Sequence, residues 1–410
     1  MKPLRSSPPV TIRATAARKA SEPNLLQMHG LVVLLLVFLF TLGTAAHACT
    51  TLLVKAKDGA VVSGRTMEFG IDLKSQVIVI PAGTPMKGTL PSGATGMSYT
   101  TKYGMAGANA FGYSVIIDGV NEKGLFVSDL YFPGYAGYAE TTAENSSRSM
   151  ASYEYGNWLL GNFATVDEVR AHLQDVVLNS TAVPELKGPP PIHFIIRDRS
   201  GKSLVIEPID GKLVAYDDPV GVMTNSPTFD WHLTNLRNYI GLTAQNLPAI
   251  KLKGGLILRS FGQGSGMFGL PGDSSSPSRF VRAVTYSQTA VPAATASEAV
   301  LQVFHLMNNF DIPFGAVRDK YGNTVAIEST SWTSVADLKN DRWYFRTYDD
   351  QAIRMVDLDK ALAAAGDKVR FISMNSQQAI VDTSTALNTT RPDDGTRYST
   401  LAPTSDQVAR

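Results

Sequence analysis

Cysteine is almost absent. The 410-residue chain holds one, Cys49, so no disulfide can form within it. An excess of charge of either sign is also missing: 37 Lys and Arg stand against 36 Asp and Glu, a formal net charge of +1. Residues 1–48 hold five basic residues and one acid, which leaves the rest of the chain at −3. A slightly acidic body has no basic footprint for nucleic acid. No metal-ligand spacing appears, and no cofactor is implied. Long apolar runs are nearly absent too. The one at residues 31–40, LVVLLLVFLF, is short of the roughly 20 residues that a spanning helix needs. With 44% hydrophobic residues, 34 Gly and 22 Pro, the composition is ordinary and globular, and it excludes collagenous, coiled-coil and wholly disordered chains.

The flanks of that apolar run fit a signal peptide. Basic residues precede it, and Ala46-His47-Ala48 closes it as a small-x-small cleavage site. Residues 1–48 therefore read as a signal peptide with a long n-region, with Met28 as an alternative start. The implied destination is periplasmic or secreted, with no stable membrane insertion after the cut. An uncleaved anchor and a lipoprotein signal are the alternatives. The lipoprotein signal usually has Leu three residues before its cysteine, where Ala46 stands here.

Cleavage after Ala48 would make the lone cysteine the first residue of the mature chain. A terminal α-amine titrates at about 7.7–8.0. It can take the proton from its own residue's thiol, so nucleophile and base reside in one residue. No catalytic histidine is then needed, and His172, His193, His232 and His305 sit in no recognisable Cys/His protease context. A small buried cysteine is the plain alternative.

Several segments share an order and spacing with a known family. They include Cys49-Thr50-Thr51, Gly64-Arg65-Thr66-Met67-Glu68 and Asp118-Gly119-Val120-Asn121-Glu122-Lys123-Gly124-Leu125. Further on come Leu130-Tyr131-Phe132-Pro133, residues 224–232 (TNSPTFDWH), residues 262–273 and Pro277-Ser278-Arg279-Phe280. From Cys49 to about residue 383 the chain resembles the choloylglycine hydrolases, the bile salt hydrolases and penicillin V acylases among the N-terminal-nucleophile hydrolases.

The resemblance implies an α+β fold, a four-layer αββα sandwich with antiparallel sheets. It also implies cleavage of linear amides through a thioester on Cys49, without a cofactor. Arg65 would favour the thiolate, Asn225 would aim its amide at the developing oxyanion, and Arg279 would close the charge network near the amine. Glu68 stands where the family usually has Asp, a carboxylate that orients the amine and holds the arginine. The added methylene could displace the amine by about an ångström, and such a shift can cost on the order of a hundredfold in rate. Tyr131 and Met67 fall on the substrate side. At the position of Tyr131, Asn tends to mark bile salt hydrolases and Tyr penicillin V acylases. A small-molecule amide with an apolar acyl group is the implied partner, and self-association, as a tetramer in many relatives, is implied with it.

Independently of the resemblance, residues 51–57, 76–80, 113–118, 125–131, 193–198 and 204–207 read as strands. Asp58-Gly59 marks a hairpin turn into 60–63. Thr165-Val166-Asp167-Glu168 is a capping box, with helical spacing continuing to 176–178. Residues 153–163 and 297–309 are helical as well. Strands dominate and helices come in blocks, which suggests α+β. A strand starting at Cys49 would hold it at a sheet edge. Residues 264–269 satisfy G-x-G-x-x-G, but Leu270-Pro271-Gly272-Asp273 follows and breaks the helix that a dinucleotide site needs. Residues 262–278 read instead as an active-site loop, and 384–410 as a polar tail expected to be disordered. Two rivals to a penicillin V or bile salt amidase remain: an N-acyl homoserine lactone acylase, and a lipidated, surface-tethered binding protein of the same fold.

Overall fold

The computed structural model of the chain describes residues 48–321 and 324–385. The signal-peptide expectation and nearly all of the expected tail lie outside the described residues. The chain divides into two units, 47–317 with 327–410 as one and 1–46 with 318–326 as the other. Of the latter, the described residues belong to a two-stranded sheet of Val317–Tyr321 and Thr324–Glu328. The larger unit carries Cys49 and the two large sheets.

Both of these sheets are antiparallel. The first has six strands, in the order Val222–Met223, Cys49–Lys55, Val61–Glu68, Thr330–Asp337, Arg342–Thr347, Arg354–Asp357. The second has eight, in the order Lys212–Asp217, Ser203–Ile209, Ile192–Arg197, Phe126–Tyr131, Asp118–Asn121, Met105–Ala108, Gln76–Ile80, Arg370–Ser373. Successive side chains along a strand point to opposite faces, and the eight-stranded sheet shows what that produces when both faces are covered. Val77 and Val79 pack into one apolar cluster, while Ile78 and Ile80 pack into another. Ile195 and Val205 join the first cluster, and their neighbours Ile196 and Leu204 join the second. Both faces being buried, these strands read as apolar runs.

Helices close the two outer faces. Ser276–Thr289 and Ala296–Met307 contribute Phe280, Ala283, Val300 and Val303 to the first cluster. Tyr155–Asn162 and Val166–Ala171 contribute Trp158, Leu159 and Val169 to the second. The result is an α+β sandwich with helix, sheet, sheet and helix layers. Gly64 shows how tightly the outer helix sits, because a Cβ there would lie 2.2 Å from Val303 Cγ1. Polar ties cross between the sheets: the buried Arg197 donates to Thr51 Oγ1 and Ser63 Oγ, each at 2.6 Å.

Most expected elements are present. Residues 76–80 form a strand with those bounds, and Thr165 accepts from Glu168 N at its helix start. Gly59 turns the first hairpin at φ +83°. Four readings need correction. Residues 113–117 are not a strand: Phe111 and Gly112 turn the chain at positive φ, and asparagine side chains bind its backbone. Asn157 Oδ1 accepts from Ile116 N at 2.8 Å, and Asn109 Nδ2 donates to Tyr113 O at 3.1 Å. The helix after Thr165 ends at Ala171, and Val177–Asn179 is a short parallel strand beside Ser149–Ala151. Residues 276–278 begin a 14-residue helix, with Pro277 in its first turn where no amide hydrogen is needed. The strand that starts at Cys49 is not an edge strand, since Val222–Met223 flanks it. The G-x-G-x-x-G segment opens only a 3₁₀ turn, Ser265–Met267.

Candidate active site

Cys49 opens the second strand of the six-stranded sheet, opposite Met67. Strand alternation sorts its neighbours. Arg65 and Met67 share the face that looks toward the eight-stranded sheet. Gly64, Thr66 and Glu68 share the face that looks toward the helices. The sulfur and the nitrogen of Cys49 therefore meet different partners.

On the sulfur side, Arg65 Nη2 lies 3.5 Å from Cys49 Sγ, and Met67 Sδ lies 3.9 Å from it. Arg65 Nη1 donates to Ile117 O at 2.8 Å and stands 3.9 Å from Asp118 Oδ2. The guanidinium also lies 5.2 Å from the centre of the Trp332 ring. Burial works against its charge, but Cys49 and Asp118 more than restore it, so its pKa is raised. Nearby, Asp129 is buried, and neither of its carboxylate oxygens has a hydrogen-bond partner. Burial pushes its pKa well above the ordinary value against the pull of Arg65, and Asp118 adds to the rise.

On the nitrogen side, Cys49 N donates to Asn225 Oδ1 at 2.8 Å. In the full chain this nitrogen is the peptide N–H after Ala48, whose carbonyl accepts from Glu68 N at 3.1 Å. Asn225 Nδ2 donates to Tyr131 O at 2.7 Å, and Asn225 N donates to Ser276 Oγ at 2.9 Å. Arg279 binds the whole assembly. It donates through Nη2 to Asn225 Oδ1 at 2.6 Å, through Nη1 to Thr50 Oγ1 at 2.8 Å and to Cys49 O, and through Nε to Ser274 O at 2.8 Å. Arg279 is itself buried.

Two expectations change here. Glu68 does not hold Arg65: residues three apart on a strand point to opposite faces, and Arg65 takes Asp118 instead. Glu68 Oε1 accepts from Thr330 Oγ1 at 2.9 Å, and Oε2 is buried without a partner. Burial raises its pKa to about 8, with Arg279 the strongest opposing influence. Asn225 does not leave its amide wholly open, because one N–H is used on Tyr131 O. The loop of 262–278 meets the site only at its end, through Ser274 and Ser276.

An apolar pocket of about 610 Å³, its open mouth counted, reaches Cys49, Arg65, Met67 and Tyr131. Phe69, Phe111, Tyr113 and Tyr153 give it aromatic walls, and Asp129 lines it too. The Tyr131 ring packs edge-on against Phe69 with centroids 5.3 Å apart. Sequence alone brought Met67 and Tyr131 here but gave no role to Asp118, Asp129 or the aromatic walls. An acid inside the buried 126–131 strand, beside Ser128, was the one available signal for Asp129. Among the described residues no group of three or more His, Cys, Asp or Glu side chains is placed to hold a metal ion, and no helix is long and apolar enough to cross a membrane.

Residues 49–371 match the family model for linear amide C–N hydrolases, choloylglycine hydrolase family. The chain is 34% identical over 316 residues to a bile salt hydrolase/transferase of Clostridium perfringens, covering 76% of this chain and 93% of that protein. It is 30% identical over 366 residues to a penicillin V acylase of Pectobacterium atrosepticum, covering 83% and 89%. A crystal structure of a conjugated bile acid hydrolase variant from Clostridium perfringens superposes with a TM-score of 0.71 at 31% identity, covering 81% of this chain and 99% of the other. A penicillin V acylase from Agrobacterium tumefaciens gives 0.64 at 26% identity, covering 80% and 92%. A buried cysteine held between two arginines, on this sandwich and with these relatives, identifies the chain as a member of the choloylglycine hydrolase family, a hydrolase of linear amide C–N bonds.

Proposed function

We propose that the protein is exported, is cut between Ala48 and Cys49, and hydrolyses amides with an aromatic or apolar acyl group through a thioester on Cys49. The observation that carries this reading is the placement of Cys49. Its sulfur lies beside Arg65 at the pocket, and its nitrogen is fixed on Asn225 Oδ1. The family match also begins at Cys49. While Ala48 is attached, the nitrogen is an amide and cannot act as a base. Once freed, it becomes an amine of pKa about 7.7–8.0, already positioned.

The amine takes the thiol proton, and Sγ attacks the substrate carbonyl carbon. Arg65 stabilises the thiolate. We assign the second N–H of Asn225 to the oxyanion. As the C–N bond breaks, the Cys49 ammonium returns its proton to the leaving amine. Water, deprotonated by the same amine, then attacks the thioester and releases the acid. Arg279 donates to Asn225 Oδ1 and keeps the amine's acceptor in place.

The aromatic walls and Tyr131 favour a penicillin V type of acyl group. The bile salt hydrolases among the relatives favour conjugated bile acids as the second reading. Acid-quenching the enzyme during turnover of each substrate and weighing it tests both. An added acyl mass on an unextended Cys49, faster with penicillin V, is expected. Faster acylation by a conjugated bile acid would move the reading to bile salts. No acylation by either, nor by an N-acyl homoserine lactone, would overturn the mechanism in favour of a binding protein.

A further inference from the structure

Two histidines with no part in this mechanism grip the backbone of its asparagine. His193 lies on the Ile192–Arg197 strand and His232 on the Phe229–Asn235 helix. Each is only 1% exposed. His193 Nε2 lies 3.0 Å from Thr224 O, and His232 Nε2 lies 2.8 Å from Asn225 O. These are consecutive carbonyls on either side of the Asn225 peptide. Carbonyl oxygens only accept, so each Nε2 carries a hydrogen.

Stacking fixes the rings. His193 lies on Phe132 at 4.4 Å and 8°, and His232 lies on Phe280 at 4.6 Å and 16°. Glu207 steadies the arrangement from behind. Its Oε1 accepts from Phe229 N at 2.9 Å, at the start of the His232 helix, and lies 3.3 Å from His193 Nδ1. His232 Nδ1 has no hydrogen-bond partner, so the ring's hydrogen bond is the one from Nε2 to Asn225 O.

We propose that His193 and His232 are positioning residues, a pair of imidazole donors that lock the Asn225 peptide so that its side chain is held between Cys49 N and Tyr131 O. This deepens the proposed amidase reading and rests on it for its kinetic consequence. Holding a catalytic group within a fraction of an ångström matters because a 1 Å error can cost on the order of a hundredfold. The buried donors also relieve two carbonyls that burial would otherwise leave unpaired.

The test compares His232→Phe and His232→Gln, alone and with Asn225→Ala, using whichever amide substrate the wild-type enzyme turns over. His193 is treated in the same way. The phenylalanine variant is expected to lose about 10- to 100-fold in kcat with KM nearly unchanged, and the glutamine variant to recover most of it through its own N–H. In the Asn225→Ala background the phenylalanine variant should cost almost nothing further, because its effect runs through Asn225. A full additional loss in that background, or no loss in the single variants, would overturn the proposal. Histidine nitrogen NMR on the wild-type protein supplies a readout that needs no turnover. Hydrogens on both Nε2 atoms are expected, and a His232 Nδ1–H tautomer would overturn the clamp. If the wild-type protein cleaves no amide, the proposed function fails, while the tautomers still decide the clamp.

Discussion

The two sides of Cys49 are built on opposite lines. Around its nitrogen, the groups that touch it are bonded: Asn225 Oδ1 takes Cys49 N and Arg279, and Arg279 gives four bonds to three neighbouring segments, with Glu68 Oε2 the buried exception on this side. Around its sulfur, Arg65 Nε and both oxygens of Asp129 are buried without hydrogen bonds, and the adjoining walls are apolar. Saturated hydrogen bonding fixes geometry, and the Arg65 charge in a low-dielectric pocket keeps its field strong, while burial favours the neutral form of Asp129. The nitrogen side can thus hold a base in position, while the sulfur side sets the Arg65 cation beside Cys49 Sγ and leaves room for an acyl group.

Variants on either side should separate these roles. Cys49→Ala removes the nucleophile and is expected to lower turnover by on the order of 10⁴-fold or more, read by steady-state kinetics. Arg279→Met removes the guanidinium donor from Cys49 O, Thr50 Oγ1, Ser274 O and Asn225 Oδ1, the last of which keeps only Cys49 N. It should cost about 3 kcal/mol in denaturant unfolding as well as activity, because breaking a buried charged network strands its partners. Arg65→Lys keeps the charge but cannot reach Ile117 O and Cys49 Sγ together. A loss of about a hundredfold in kcat with little change in stability is expected. Comparable destabilisation by the two arginine variants would erase the contrast between the two sides. Tyr131→Asn should shift the ratio of penicillin V to conjugated bile acid turnover by about tenfold toward the latter, read from kcat/KM values.

The smallest effect concerns Glu68. Its folded pKa of about 8 lies above the ordinary 4.5. The folded state therefore keeps a proton that the unfolded chain gives up, and stability falls as pH rises between these values. Glu68→Gln should unfold at a similar temperature to wild type near pH 4.5 and at a higher one near pH 8. Equal melting at both pH values would show Glu68 to be ionised in the fold.

Legibility in the sequence followed local physics. Residues 76–80, 193–198 and 204–207 read as strands because both faces of their sheet are apolar. Thr330–Asp337 gave no such signal, since its inward positions include Ser334, which donates to Asp118 Oδ1 at 2.7 Å, and a Ser/Thr-rich run looks like a loop. Residues 113–117 misled because Val115 and Ile116 are buried in a turn where Asn109 and Asn157 take the backbone of 113, 114 and 116. Cys49 stood out as the lone cysteine after a cleavage-like motif. Asn225 and Arg279, 176 and 230 residues from it in sequence, could be tied to it only by family resemblance. The partner expected for Glu68 came from the resemblance, whereas the strand's two-residue period puts Arg65 and Glu68 on opposite faces.

The central claim is that one residue supplies both nucleophile and base. The most direct measurement compares turnover by protein whose first residue is Cys49 with turnover by protein that keeps Ala48 through an uncleavable leader, both checked by intact mass and thermal unfolding. Activity confined to the form that begins at Cys49, with both forms folded, is the predicted result. Equal turnover with Ala48 still attached would contradict the account, because the Cys49 nitrogen would then be an amide with no proton affinity to offer.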